Sequence, residues 1–274
     1  MTQGAPDGLD TEVAHSARVW NYLLGGQDNF PADRVTGDLI FKMFPGIAQL
    51  ARLQRQFLAR AVRYLAGEAG IRQFLDIGTG LPTADNTHQV AQAIAPDARI
   101  VYVDNDPLVL VQAQELLAST PSGMTDYLQA DVRDPQRILR EASRTLDFSQ
   151  PVALVLLGII GQLPDSHGPG PIVDELLDAL PDGSYLALGD GTDISPALNE
   201  AIRVYNENSA SSYHLRSPEQ IAGFFHGLEL VPPGIVSAAE WRPGGGGSLR
   251  GSGGSGGDDV QTACGIGVKR SPGR

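Results

Sequence analysis

The sequence predicts an α/β protein: a mostly parallel seven-stranded sheet with one reversed strand, preceded by a helical cap. Three observations carry this. The first 66 residues show helical periodicity and no convincing strand. The middle of the chain alternates short apolar runs with helix-length stretches, and the last third ends in two strand-like segments with no helix between them.

The elements follow in order. Residues 1–11 read as a disordered N-terminus. Over residues 12–24, Val13, Ala17, Trp20 and Leu24 recur at helical spacing, and Gly25-Gly26 ends the helix. A loop at residues 27–34 (QDNFPADR) leads to a short helix that stops at Pro45-Gly46. A longer helix covers residues 47–66, with Leu50, Leu53, Phe57, Ala61 and Leu65 on one side. Its arginines, Arg52, Arg55, Arg60 and Arg63, read as a solvated face. The cap is therefore residues 12–66, and the sheet unit is residues 67–274.

In that unit, apolar runs fall at 73–77, 99–104, 126–130, 152–157 and 184–189. Helix-length stretches at 85–95, 107–119, 135–143 and 171–180 separate them, as right-handed crossovers between parallel strands require. Ser217, Pro218 and Gln220 fit the N-cap, first position and capping-box partner of a helix ending near Gly227. Segments 229–240 and 260–268 then form an antiparallel hairpin. The Gly/Ser-rich run 243–259 is a flexible loop at its tip, tolerable because each doubling of loop length costs only about 0.6 kcal/mol of closure.

Composition narrows the partners. With 20 basic and 32 acidic residues, net charge −12, the chain has no general field for phosphates and is not expected to bind nucleic acid. Its longest apolar run, residues 152–160, is far shorter than the roughly 20 residues that span a bilayer, so no membrane association is expected. The N-terminal segment lacks a basic region followed by an apolar one, so a cytoplasmic location is expected. Cys264 is the only cysteine, which excludes an intrachain disulfide and a thiolate metal cluster.

Three strand ends carry the chemistry. Residues 74–80 (FLDIGTG) run a strand into a glycine turn, where Gly78, Thr79 and Gly80 let a ligand approach the backbone. The dinucleotide fingerprint needs glycine at position 83, where this chain has Thr83. Asp76, two residues before the first glycine, would repel a pyrophosphate but would favour a methionine moiety carrying an ammonium and a sulfonium. Asp104 and Asn105 close the second strand, where a carboxylate can accept from both ribose hydroxyls. The alternative is that Asp104, Asp106 and Pro107 only cap the following helix. Asp131 and Val132 close the third strand, placed for an adenine amino group and ring nitrogen, and Gly158 begins a small apolar floor after the fourth. These residues point to S-adenosyl-L-methionine rather than NAD as cofactor.

The chain resembles the actinobacterial S-adenosylmethionine-dependent methyltransferase family long catalogued as a domain of unknown function. The resemblance is carried by ARVWNYLLGGQDNFPADR (17–34), DIGTGLPT (76–83) with NTHQVA (86–91), VYVDNDPLV (101–109), and LRSPEQIAGFFHGLELVPPGIVSAAEWRP (215–243). It implies a class I methyltransferase Rossmann-like fold and a cap whose YLLGGQDNF segment borders the cofactor. Tyr22, Gly25, Gly26, Asp28 and Asn29 are then candidate lid residues, against the plainer reading that they cap a helix and pack. The family commonly carries histidines before Leu-Pro-Asp, where this chain has Gly161-Gln162, and Ser-His after the fifth strand, where it has Gly189-Asp190. Those departures leave the catalytic residues unassigned. His167 and His214 are the histidines placed to face an acceptor, and His88 reads as structural. The expected activity is methyl transfer to a small molecule; a non-catalytic S-adenosylmethionine-binding regulator and an NAD-dependent oxidoreductase are the rival classes.

Overall fold

A computed structural model of the chain describes residues 10–82, 85–116, 119–243 and 261–270. The expected N-terminal tail falls outside these up to residue 9, and the Gly/Ser-rich loop from residue 244 to 259.

Helix α1 (Ser16–Leu23) begins later than the periodicity suggests. Val13 is exposed, and Ala14 instead makes an isolated bridge with Ser209. The helix ends where Gly25 takes φ +86°, a left-handed conformation that glycine adopts without strain. Helix α2 (Pro31–Met43) starts inside the expected loop, with Pro31 in the first turn and the Asp33 carboxylate accepting from Phe30 N at 2.8 Å. Helix α3 (Ile47–Arg63) runs on into a π-helical turn at Tyr64–Glu68. The solvated face expected for its arginines holds for Arg52 and Arg63 only. Arg60 turns inward to donate to the carbonyls of Ala238 and Trp241, and Arg55 points to the sheet edge.

The sheet unit alternates as expected: β1 (Gln73–Ile77), α4 (Thr87–Ile94), β2 (Arg99–Asp104), α5 (Pro107–Leu116), β3 (Met124–Gln129), α6 (Pro135–Ala142), β4 (Ala153–Leu157), α7 (Pro169–Asp178) and β5 (Tyr185–Gly191). Helix α8 (Pro196–Asn208), which the sequence reading did not anticipate, follows. Then come α9 (Pro218–Gly223), with the Ser217–Gln220 capping box in place, β6 (Leu228–Leu230) and β7 (Thr262–Lys269). The strand order is β3-β2-β1-β4-β5-β7-β6, with β7 antiparallel to both neighbours. Strand β6 is much shorter than the expected 229–240 segment: Pro232 and Pro233 have no N–H to give the ladder, and the chain rejoins β7 only at Val236, opposite Cys264.

Both faces of the sheet are covered, which is why its central strands are almost wholly apolar. Leu75, Val101 and Leu154 lie side by side in register and pack against Ile138 of α6 and Leu176 of α7. On the other face Phe74, Ile100 and Val155 meet Phe57 of α3 and Val90 of α4. Trp241, fully buried, stacks edge-on against Phe57 at 5.3 Å. The cap has its own core, in which Val19, Ile40 and Ile47 close on Leu198, Ile202 and Tyr205 of α8. Strand β1 is flanked by β2 on one side and β4 on the other, so the connections leave in opposite directions and a cleft opens at the strand C-termini between them.

One polar unit pins the cap. Asp33 is 0% exposed; it accepts from His15 N at 2.9 Å as well as from Phe30 N, with Arg18 Nε 3.8 Å away. Asp33→Ala leaves the His15 and Phe30 amides without their acceptor and leaves Arg18 with Asp106 as its one remaining carboxylate. It is expected to lower the unfolding free energy by about 3 kcal/mol in urea denaturation, and a loss below about 1 kcal/mol would show that α8 holds the cap without it.

Candidate functional site

The glycine turn after β1 is shaped from two sides. Gly78 takes φ +73°, and a Cβ there would lie 2.6 Å from the Ile159 side chain. Gly80, at φ +66°, has no atom within 4 Å of a Cβ position, which leaves its face open as a cradle. Gly78 N donates to Val103 O at 2.8 Å, and Gly80 N donates to Asp104 Oδ2 at 2.8 Å. The other oxygen of Asp104 accepts from Asp106 N at 3.0 Å. The capping alternative for Asp104 is thus realised in part: its carboxylate ties the turn of β1 to the end of β2. Asp106 accepts from Leu108 N at 2.9 Å and lies 3.0 Å from His15 Nδ1 and 3.4 Å from Arg18 Nε. Burial pushes its carboxyl up, but the His15 hydrogen bond and the nearby positive charge outweigh this and hold it below the ordinary range.

Around this turn lies a cavity of about 420 Å³, walled by the ends of β1 to β4 and roofed by α1 and α3. All nine positions singled out from the strand ends line it: Asp76, Gly78, Thr79, Gly80, Asp104, Asn105, Asp131, Val132 and Gly158. Asp76 is buried and accepts from Thr87 Oγ1 at 2.6 Å; burial pushes its carboxyl up to about 6, against the pull of Thr87 and Arg55. Asp131 is gripped by Arg133 at 2.9 and 2.6 Å, and that hydrogen bonding holds it below the usual carboxylate range despite partial burial.

The five lid candidates do not line the cavity. The inner face of α1 does so instead, through Ser16, Ala17, Trp20, Asn21 and Leu24. Helical geometry explains the correction, because Tyr22 projects from the opposite side and donates to Asp38 at 2.6 Å. Gly25, Gly26, Asp28 and Asn29 form the turn behind Asn21. Asp28 N and Asn29 Nδ2 donate to Asn21 Oδ1 at 3.0 and 2.9 Å, and a Cβ on Gly26 would lie 2.4 Å from the Asn21 amide. They position a wall residue without touching the cavity.

Gln54, Arg55 and Leu58 of α3 also line the cavity and were missed. A signal existed: Ala51, Gln54, Arg55 and Leu58 lie one turn apart, so two polar residues interrupt an otherwise apolar inward stripe. The histidines sort as follows. His88 is structural, its backbone N and ring both bonded to the Tyr102 hydroxyl at 2.7 and 2.9 Å. His15 and His167 line the cavity, and the His214 ring lies 2.9 Å from Ser212 Oγ, a wall residue.

Gly161 and Asp190 form one unit with Tyr213. Gly161 N donates to Asp190 Oδ2 at 2.9 Å, while the Tyr213 hydroxyl donates to Asp190 Oδ1. A Cβ on Gly161 would sit 2.4 Å from Tyr213 Cζ, so the ring occupies the space a side chain would need. Gln162 lines the cavity and donates to Ser16 Oγ at 2.8 Å, joining the loop after β4 to the cap.

A model of the S-adenosyl methyltransferase family matches residues 2–270. A DUF574-family protein from Streptomyces avermitilis is 44% identical over 95% of this chain and 99% of its own, with TM-score 0.90. A protein of Thermobifida fusca proposed to be a methyltransferase is 43% identical over 97% of this chain and 98% of its own, with TM-score 0.87. A SAM-dependent methyltransferase from Anabaena variabilis, 11% identical over 97% of this chain and 100% of its own at TM-score 0.51, shares the fold. None of the functionally curated proteins matches the chain.

Burial pushes the Asp190 carboxyl up to about 6 from an ordinary 3.8, so between those values the folded chain holds a proton that the unfolded chain has released. Stability from this group is therefore full below pH 3.8 and lost as pH rises through 6. Asp190→Asn removes that dependence. Between pH 4 and pH 7 its stability relative to the parent should improve by on the order of 2–3 kcal/mol in paired urea titrations. An unchanged difference would place an ionised carboxylate at Asp190 throughout.

Proposed function

We propose, from the premise that the chain belongs to the S-adenosyl methyltransferase family, that its cavity holds the cofactor along the strand ends and methylates a small molecule beneath the cap. The observation that supports this best is the order of charged groups along the cavity wall. Asp76 and Arg55 face each other at the β1 turn, Asp104 ends β2, and Asp131 stands beyond β3. A buried carboxylate beside a buried guanidinium suits a zwitterion, whose ammonium and carboxylate would each meet an opposite charge. The open face of Gly80 gives the backbone approach such a ligand needs, and the remaining lone pairs of Asp104 suit ribose hydroxyls.

The cofactor, S-adenosylmethionine, supplies an electrophilic methyl group on a sulfonium. The rest belongs to the chain. Asp76 and Arg55 anchor the methionine end, Asp104 and Asn105 the ribose, and Asp131 with the Val132 amide the adenine. Gly158 and Ile159 form a small floor without charge, so the reacting centre is set by packing and not by ionic partners. Trp20, Asn21 and Leu24 line the cavity from the cap side, where packing on the acceptor would hold it close to the methyl carbon for an in-line displacement. A cavity of this size, in a chain of net charge −12, favours a small molecule over a nucleic acid. The Gly161–Asp190–Tyr213 unit gives some weight to a second reading, a protein that binds the cofactor without transferring its methyl group.

Calorimetric titration with S-adenosylmethionine, S-adenosylhomocysteine and NAD tests the assignment. Micromolar binding of the first two and none of the third is expected. Asp104→Ala should weaken both by at least tenfold, about 1.4 kcal/mol, and Arg55→Ala should act on the same scale. Unchanged affinity in Asp104→Ala removes the ribose assignment, and NAD binding overturns the reading as a whole.

A further inference from the structure

The cofactor reading leaves one end of the cavity unassigned. Adenine, ribose and methionine fall in turn over β3, β2 and β1, so the methyl group is presented toward β4 and β5, the next strands in the sheet. The wall there comes from the loop after β4, with His167, and from residues 210–212, and among the described residues it carries no carboxylate, amine or guanidinium. It does carry Ser212, whose hydroxyl lies 2.9 Å from Nε2 of His214. The pair is held in place from behind, because His214 N donates to Gly161 O at 2.7 Å and Asn206 grips the backbone N and O of Tyr213 at 2.7 and 2.9 Å.

The geometry points to Ser212 and His214 as a two-member proton relay for the methyl acceptor, an uncharged small molecule with an O–H or N–H to lose. This rests on the cofactor reading above. In the transfer, the acceptor's lone pair forms the new bond to the methyl carbon as the carbon–sulfur bond breaks, its electron pair staying on sulfur. The acceptor's proton passes to Ser212 Oγ while the Ser212 proton passes to His214 Nε2. The positive charge that leaves the sulfonium thus reappears on the imidazolium, and the products are a neutral thioether and a neutral methylated acceptor. An uncharged acceptor suits this wall, whose described residues include no carboxylate, lysine or arginine to pair with a buried ion.

The relay needs a neutral imidazole with a bare Nε2 before reaction. Burial lowers the affinity of His214 for a proton, and Arg216 on the same segment lowers it further. Facing it from the turn after β4, Asp165 opposes this and His167 adds to it. Ser212 touches the acceptor, whereas His214 acts through Ser212 and is a positioning residue.

Side-chain NMR of the full chain tests this without an identified acceptor, since only five histidines contribute signals and His214→Gln assigns one of them. The protein is saturated first with S-adenosylhomocysteine and then with S-adenosylmethionine. His214 is expected in the tautomer with its proton on Nδ1. Its titration midpoint should be lower with the sulfonium present by roughly 0.4 pH or more, because a positive charge at the methyl site opposes protonation. A proton on Nε2, or equal midpoints for His214, overturns the relay. If the Gly78 and Gly80 amide signals move with neither compound, the cofactor reading fails instead, and the relay with it.

Discussion

Three buried carboxylates carry the glycine turn of the sheet into the helical cap. Asp104 accepts from Gly80 N on one side and Asp106 N on the other; Asp106 faces His15 and Arg18; Arg18 then reaches toward Asp33, which holds the backbone of both His15 and Phe30. Each member would be costly to bury alone, and each is offset by the donors or cations of the next. The cavity wall and its roof are therefore parts of one polar network.

The apolar part of the cap answers to a different element. Helix α8 supplies Leu198, Ile202 and Tyr205 to the cluster that holds α1, α2 and the start of α3. The backbone of Ala14 is tied to Ser209 and Ala210 just beyond that helix. Residues 210–212 lead from there directly into the cavity wall. Roof, foot and far wall of the cavity are thus linked through a short stretch of chain, whereas the wall at the strand ends belongs to the sheet.

What could be read in the sequence follows from how local each signal was. The strand ends were legible because a parallel strand buried on both faces is a continuous apolar run, and a carboxylate at its end is conspicuous; Asp76, Asp104 and Asp131 all lie on the cavity. The Ser217 capping box was legible for the same reason, since its partners are three residues apart. Helix α8 carried comparable signals, a Ser195 N-cap and apolar residues at 198, 201, 202 and 205, and was passed over where the regular alternation ended. Which face of α1 lines the cavity was not legible, because a sequence segment does not say which side of its helix turns inward. Arg55 and Gln54 were hidden differently, since polar residues on an amphipathic helix read as solvated until a cavity is found beneath them. The Gly161–Asp190–Tyr213 unit was beyond reach, as its members are brought together only by the fold.

That unit also constrains how the site can change over generations. The Tyr213 ring fills the volume beside Gly161, and its hydroxyl depends on Asp190. A histidine arriving first at position 161 would collide with the ring. One arriving first at position 190 would strand both the hydroxyl and the Gly161 amide. Position 213 must therefore give way before a side chain enters at position 161, and substitutions at 161, 190 and 213 are strongly coupled and far from additive. The three positions change together or not at all, so a single substitution at 161 or 190 meets a site still shaped for the other two.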